Sequence, residues 1–158
     1  MLIDSSIAPA DALTYPWPEP AALRDLVYSR LLPVRQTAGQ FLASYTPAVL
    51  VAGLRTVTVY HSPEFGAEAR VTVGWLRRRL AVCGADTDAL TFGTEPTTEG
   101  SLGISFAYAD GGKFFRWRGD FGTKHAQFEA DFGTGLAKLP AAVSLLAPEM
   151  ALSEAMLF

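Results

Sequence analysis

The sequence predicts an α+β fold, and three patterns carry that prediction. Helical stripes punctuated by proline fill the first third of the 158 residues. A β-branched run occupies residues 55–60. Strict alternation of apolar and polar side chains then extends from residue 104 to 132, the mark of strands buried on one face only. The expected architecture is short N-terminal helices, an antiparallel sheet with a meander over about residues 88–133, and covering helices that include the C-terminal one.

Residues 1–19 read as an extended arm. Pro9, Pro16 and Pro18 restrict the backbone, and Tyr15 and Trp17 alternate with prolines, a pattern incompatible with a long helix. The two aromatics are expected to anchor this arm on one α+β domain formed by residues 20–158. Pro20 suits the first position of a helix, and Leu23, Leu26, Val27 and Leu31 continue it as one stripe that Pro33 stops. Val34, Ala38, Phe41, Leu42 and Tyr45 form a second stripe. Thr46 and Pro47 open a third, short helix ending near Gly53.

Residues 55–60 predict a strand, which Ser62 and Pro63 end. Residues 64–83 carry competing signals. Val71, Thr72 and Val73 favour a strand, but Trp75 to Cys83 followed by Gly84 favours a helix with a glycine cap, and the helix is preferred. A short strand follows at 89–92 and a polar turn at 94–100.

The meander can be assigned a register. A loop at Asp110 and Gly111 places Phe106 opposite Phe115 and Ile104 opposite Trp117. A turn at Gly122 and Thr123 places Trp117 opposite Phe128 and Arg116 opposite Glu129, predicting an exposed cross-strand ion pair. The apolar sets then share one face, and a one-residue slip would turn one of them to the wrong side. Phe128, Phe132, Leu136 and Leu139 also fit a helix. The recurrence of Asp120-Phe121-Gly122-Thr123 as Asp131-Phe132-Gly133-Thr134 favours repeated strand ends instead. From Leu136 the chain is expected to be helical, bent at Pro140 and Pro148.

Charged residues make up 18% of the chain, below the usual quarter, which suits a surface partly covered by another chain or a ligand. The net charge is −3. Residues 1–84 carry eight basic and six acidic side chains, and residues 85–158 carry five and ten. This balance argues against general nucleic-acid binding. The single cysteine, Cys83, excludes an intrachain disulfide and a multi-cysteine zinc site, and fits a cytoplasmic protein. The start, Met1-Leu2-Ile3-Asp4, lacks signal-peptide features. The apolar tract 139–158 contains Pro140, Pro148, Glu149 and Glu154, and reads as packed helix without membrane insertion.

Four groups of residues could carry function. Phe114, Arg116 and Arg118 project from the sheet face opposite Phe115 and Trp117, an arrangement suited to single-stranded nucleic acid through base stacking and phosphate contacts. Arg77 and Arg78, with Arg79 and Arg70, could meet a phosphate, a carboxylate ligand or an acidic partner, although such runs are more often a helix's wet side. His61, His125 and Cys83 form no recognisable catalytic or metal pattern, so neither a metal nor a cofactor is expected. Met150, Leu152, Met156, Leu157 and Phe158 would either cover the sheet or serve a partner.

The leading expectation is a non-enzymatic protein-binding domain: an adaptor, a chaperone or an inhibitor of the immunity-protein kind, with the partner another protein or a second copy of this chain. As an inhibitor, its acidic second half would suit a basic partner. A small-molecule pocket or small enzyme lined by His61, Tyr108 and Trp117 is the alternative. Single-stranded nucleic-acid binding is the third.

Overall fold

The computed structural model describes residues 1–9, 11–12 and 14–157. Strand β1 (Leu2–Ile3) pairs in parallel with β2 (Arg24–Asp25). Helices α1 (Leu26–Arg30), α2 (Leu32–Leu42) and α3 (Pro47–Val51) follow. Then come β3 (Leu54–His61), α4 (Gly66–Val82), β4 (Thr91–Pro96), β5 (Leu102–Tyr108), β6 (Phe114–Asp120), β7 (His125–Asp131), β8 (Ala137–Ala142) and α5 (Pro148–Leu157). The larger sheet has the order β4-β3-β5-β6-β7-β8. Its β3–β4 pair is parallel, joined through α4, and its other neighbours are antiparallel.

The meander has the register that alternation requires. Phe106 faces Phe115, Ile104 faces Trp117, Trp117 faces Phe128 and Arg116 faces Glu129. The repeated Asp-Phe-Gly-Thr segments have one physical cause. Each aspartate turns its carboxylate onto the backbone of its own turn: Asp120 Oδ1 accepts from Gly122 N at 2.8 Å, and Asp131 Oδ1 from Gly133 N at 2.8 Å. The second repeat therefore opens another hairpin. Gly133 and Gly135 take φ of +94° and +114°, and the chain returns as β8 rather than as the expected helix. Pro140 is tolerated because β8 is an edge strand, where a missing N–H costs no ladder bond.

The N-terminus also departs from expectation. Pro20 opens one 3-10 turn (Pro20–Ala22) in place of a longer helix. The chain there is held by the arm. The Met1 ammonium donates to Ala22 O at 2.8 Å, and Arg24 N donates to Met1 O at 2.8 Å. Asp25 then caps α1, accepting from Val27 N at 3.1 Å, and accepts from Ser5 N and Oγ as well. Residues 1–5 thus pin the arm. Tyr15 and Trp17 pack on each other, ring centroids 4.7 Å apart, with Trp17 Nε1 donating to Ala12 O. Pro33 lies in the first turn of α2, where its missing N–H is not needed.

The apolar sheet face is covered chiefly from α2. Phe41 stacks on Phe128 at 4.4 Å between centroids, and Tyr45 meets Phe132 at the same distance. Helix α4 lies against β3 and β4. Val27 and Leu31 are wholly buried, and α5 packs outside them, on α1 and β2, through Ala151 and Ala155. Beneath these helices Arg30 spans Asp4 and the buried Glu68, 3.4 Å from each. Burial alone would raise the Asp4 carboxyl, but hydrogen bonds from Ser6 and the charge of Arg30 hold it below its ordinary value. Among the described residues no helix is long and apolar enough to cross a membrane.

Candidate functional site

Every basic residue before residue 85 is an arginine. Four of them, Arg24, Arg35, Arg70 and Arg78, line one cleft of about 690 Å³ whose walls come from α1, α2, α4, α5 and the 20–25 segment. Helix α4 contributes Arg70, Gly74 and Arg78. Their spacing of four places them along one ridge of the helix. A Cβ at Gly74 would stand 3.5 Å from an Arg78 guanidinium nitrogen, so Arg78 lies back along the helix over Gly74.

Arg35 reaches the cleft from α2. Its guanidinium carbon lies 3.7 Å from the centroid of the Tyr28 ring, a cation–π contact, and Nη2 donates to Tyr28 O at 3.2 Å. Its Nε is buried without a hydrogen-bond partner. Burial pulls the Arg35 guanidinium below its ordinary pKa. The neighbouring Arg78 adds to this, while Tyr28 and Glu154 oppose it. A charge held under such strain gains from any anion brought beside it. Arg78 approaches the same ring at 5.7 Å.

The cleft's own carboxylates compensate this charge only in part. Asp25 is committed to Ser5 and Val27. Glu154 faces Arg35 from α5, yet among the described residues no carboxylate lies within ion-pair distance of Arg35, Arg70 or Arg78. Arg24 is occupied by the carbonyls of Ala21 and Leu23. Four arginines against two carboxylates make a positive cleft in a chain of net charge −3.

Arg78 is the member of the anticipated arginine group that lines this cleft, together with Arg70. Arg77 turns away, pairing with Asp88 at 3.1 Å and lying over the Phe92 ring. Phe114, Arg116 and Arg118 do share the uncovered sheet face. There Arg116, Arg118, Tyr60 and Gly103 line a groove of about 360 Å³. Its charges are largely spoken for. Arg118 pairs with Glu99 at 3.0 Å, and Arg116 lies over the Phe114 ring. The expected Arg116–Glu129 pair is replaced by Lys138–Glu129 at 3.2 Å, because the unanticipated β8 brings Lys138 opposite Glu129.

His61, Tyr108 and Trp117 do not converge. His61 pairs with Leu102 at one end of β5, and Tyr108 with Leu54 at the other. Tyr108 is buried with its hydroxyl donating to Leu50 O at 2.8 Å, and burial raises its pKa. Trp117 is core, 1% exposed. His61 Nδ1 lies 2.9 Å from Ser62 O, and Gly66 stands close to both His61 and Arg70. Met156 and Leu157 are exposed at 74% and 73%. Phe158 lies outside the described residues. No group of three or more potential metal ligands is gathered among the described residues.

Sequence reasoning missed Arg35 and Tyr28. Their seven-residue separation would mark two turns of one helix, but the break between α1 and α2 falls inside it. Tyr60 was legible only as an alternating strand residue. No protein-family model matches the chain, and no curated protein or solved structure matches it significantly.

Proposed function

We propose that this chain is a non-enzymatic protein-binding domain, of the adaptor, chaperone or inhibitor kind, and that its working surface is the arginine cleft. The observation that carries this reading is the set Arg35, Arg70 and Arg78: three guanidiniums in one concavity, without carboxylate partners among the described residues, one of them with a buried, unpartnered Nε. Guanidiniums recognise carboxylates through paired N–H donors. The partner is therefore expected to present acidic side chains. The apolar wall from Leu23, Val71 and Ala155 gives such a segment something to pack against.

The test is a fluorescence anisotropy titration with a labelled glutamate-containing peptide. Arg78→Ala should weaken binding about tenfold, the usual scale for one charge-assisted contact. Arg79→Ala removes the same charge from the same helix but outside the cleft lining, and should change affinity less than about twofold. Equal losses from both substitutions would reduce the binding to general charge attraction and end this reading.

The uncovered sheet face supports a second reading, single-stranded nucleic acid, because Tyr60 joins Arg116 and Arg118 at one groove. The Glu99 and Glu129 carboxylates on that surface weigh against it.

A further inference from the structure

The ridge on α4 has a definite length. Arg70 and Arg78 stand eight residues apart, with Gly74 midway. At a rise of about 1.5 Å per residue their backbones are separated by about 12 Å along the helix. An extended peptide advances about 3.3 Å per residue, so four residues cover about 13 Å. Side chains alternate sides along an extended chain, so two residues four apart also point the same way, whereas two residues three apart point oppositely.

We infer that the cleft reads two carboxylates four residues apart on an extended acidic segment of a partner protein, with Arg78 and Arg35 taking one and Arg70 the other. This rests on the cleft being the binding surface and adds the pattern it selects. Gly74 lies between the two positions, and the Arg78 guanidinium folds back beside it, 3.5 Å from where a Cβ would stand. A nucleic acid fits less well. One face of the Tyr28 ring is already taken by Arg35, which leaves less of it as a platform for a base.

The experiment compares short extended peptides of equal net charge in which two glutamates are adjacent, three apart or four apart. The four-residue spacing should bind at least about fivefold more tightly than the other two, the scale of one exposed guanidinium contact. That preference should disappear in Arg70→Gln, which should weaken the four-residue spacing more than it weakens a single-glutamate peptide. If all spacings bind wild type equally and Arg78→Ala still weakens them, the spacing rule is overturned and the cleft remains the surface. If no peptide binds, both fall. Displacement of the peptide by inorganic tripolyphosphate or a short oligonucleotide at lower concentration than by free peptide would overturn the acidic-segment assignment in favour of a phosphate ligand.

Discussion

The arginine cleft and the uncovered sheet face are built from the same residue types and differ in whether their charges are answered. On the sheet face Arg118 has Glu99 and Glu129 has Lys138, while Arg116, like Arg35, lies over a ring with no carboxylate in ion-pair distance among the described residues. In the cleft Arg35, Arg70 and Arg78 have none of these carboxylate partners among the described residues, although Glu154 is near. The sheet face assembles its partners from adjacent strands, where cross-strand neighbours are a few ångströms apart by construction. The cleft gathers arginines from separate helices that meet only through tertiary packing. Three guanidiniums without a carboxylate in ion-pair distance leave more charge to meet a partner than a face where one of two arginines is paired.

A third arginine environment separates structural from functional charge most sharply. Arg30 joins Asp4 to the buried Glu68, tying the N-terminal arm, α1 and α4 together. Arg30→Ala would leave Glu68 without its cationic partner and should cost about 3 kcal/mol of unfolding free energy in urea. A loss below about 1 kcal/mol would show that this triad behaves like an exposed pair and would erase the distinction.

A smaller effect is expected at Glu154. Glu154→Gln removes a negative charge facing Arg35, so affinity for an acidic peptide should rise about two- to fivefold, as expected for a partly screened neighbouring charge. Unchanged or weaker peptide binding would mean that Glu154 does not compete with the ligand. The smallest effect belongs to the sheet face. Arg118→Ala breaks an ion pair that is more than half exposed on both sides, and should shift stability by less than about 0.5 kcal/mol without altering peptide affinity. Loss of peptide binding in this variant would move the functional surface from the cleft to the sheet.

Much of the fold was legible because its signals are local. Ile104, Phe106, Phe115, Trp117 and Phe128 alternate with polar residues, and only one register puts them on one face. The helix at 66–82 was legible only in its second half, from Trp75 to Cys83 and the glycine cap, against a strand signal at Val71 to Val73. The strand β8 was misjudged because Leu136, Leu139 and the two prolines resemble a broken helix, although the Asp131–Gly133 turn signal beside it already announced a hairpin. The first turn after Pro20 was misjudged for a different reason: its backbone pairs with residues at the far end of the arm.

Of the candidate site, the sequence disclosed the arginine group of α4, but helical spacing puts Arg77 near one face with Arg70 and Arg78, and only its pairing with Asp88 separates it from the cleft. The sequence also disclosed the sheet face, since strand alternation fixes which residues point outward. It could not disclose that Arg35 and Tyr28 meet Arg78, or that Glu154 closes the cleft from α5. Periodicity specifies the face of one element. Which faces become neighbours depends on burying Val27, Leu31 and Phe128 among helices far apart in the chain. The sequence by itself determined the register of β5, β6 and β7 and which of their residues face outward. Only the tertiary structure decided which charges would be left without a partner, because ion pairing between distant elements is settled by packing geometry.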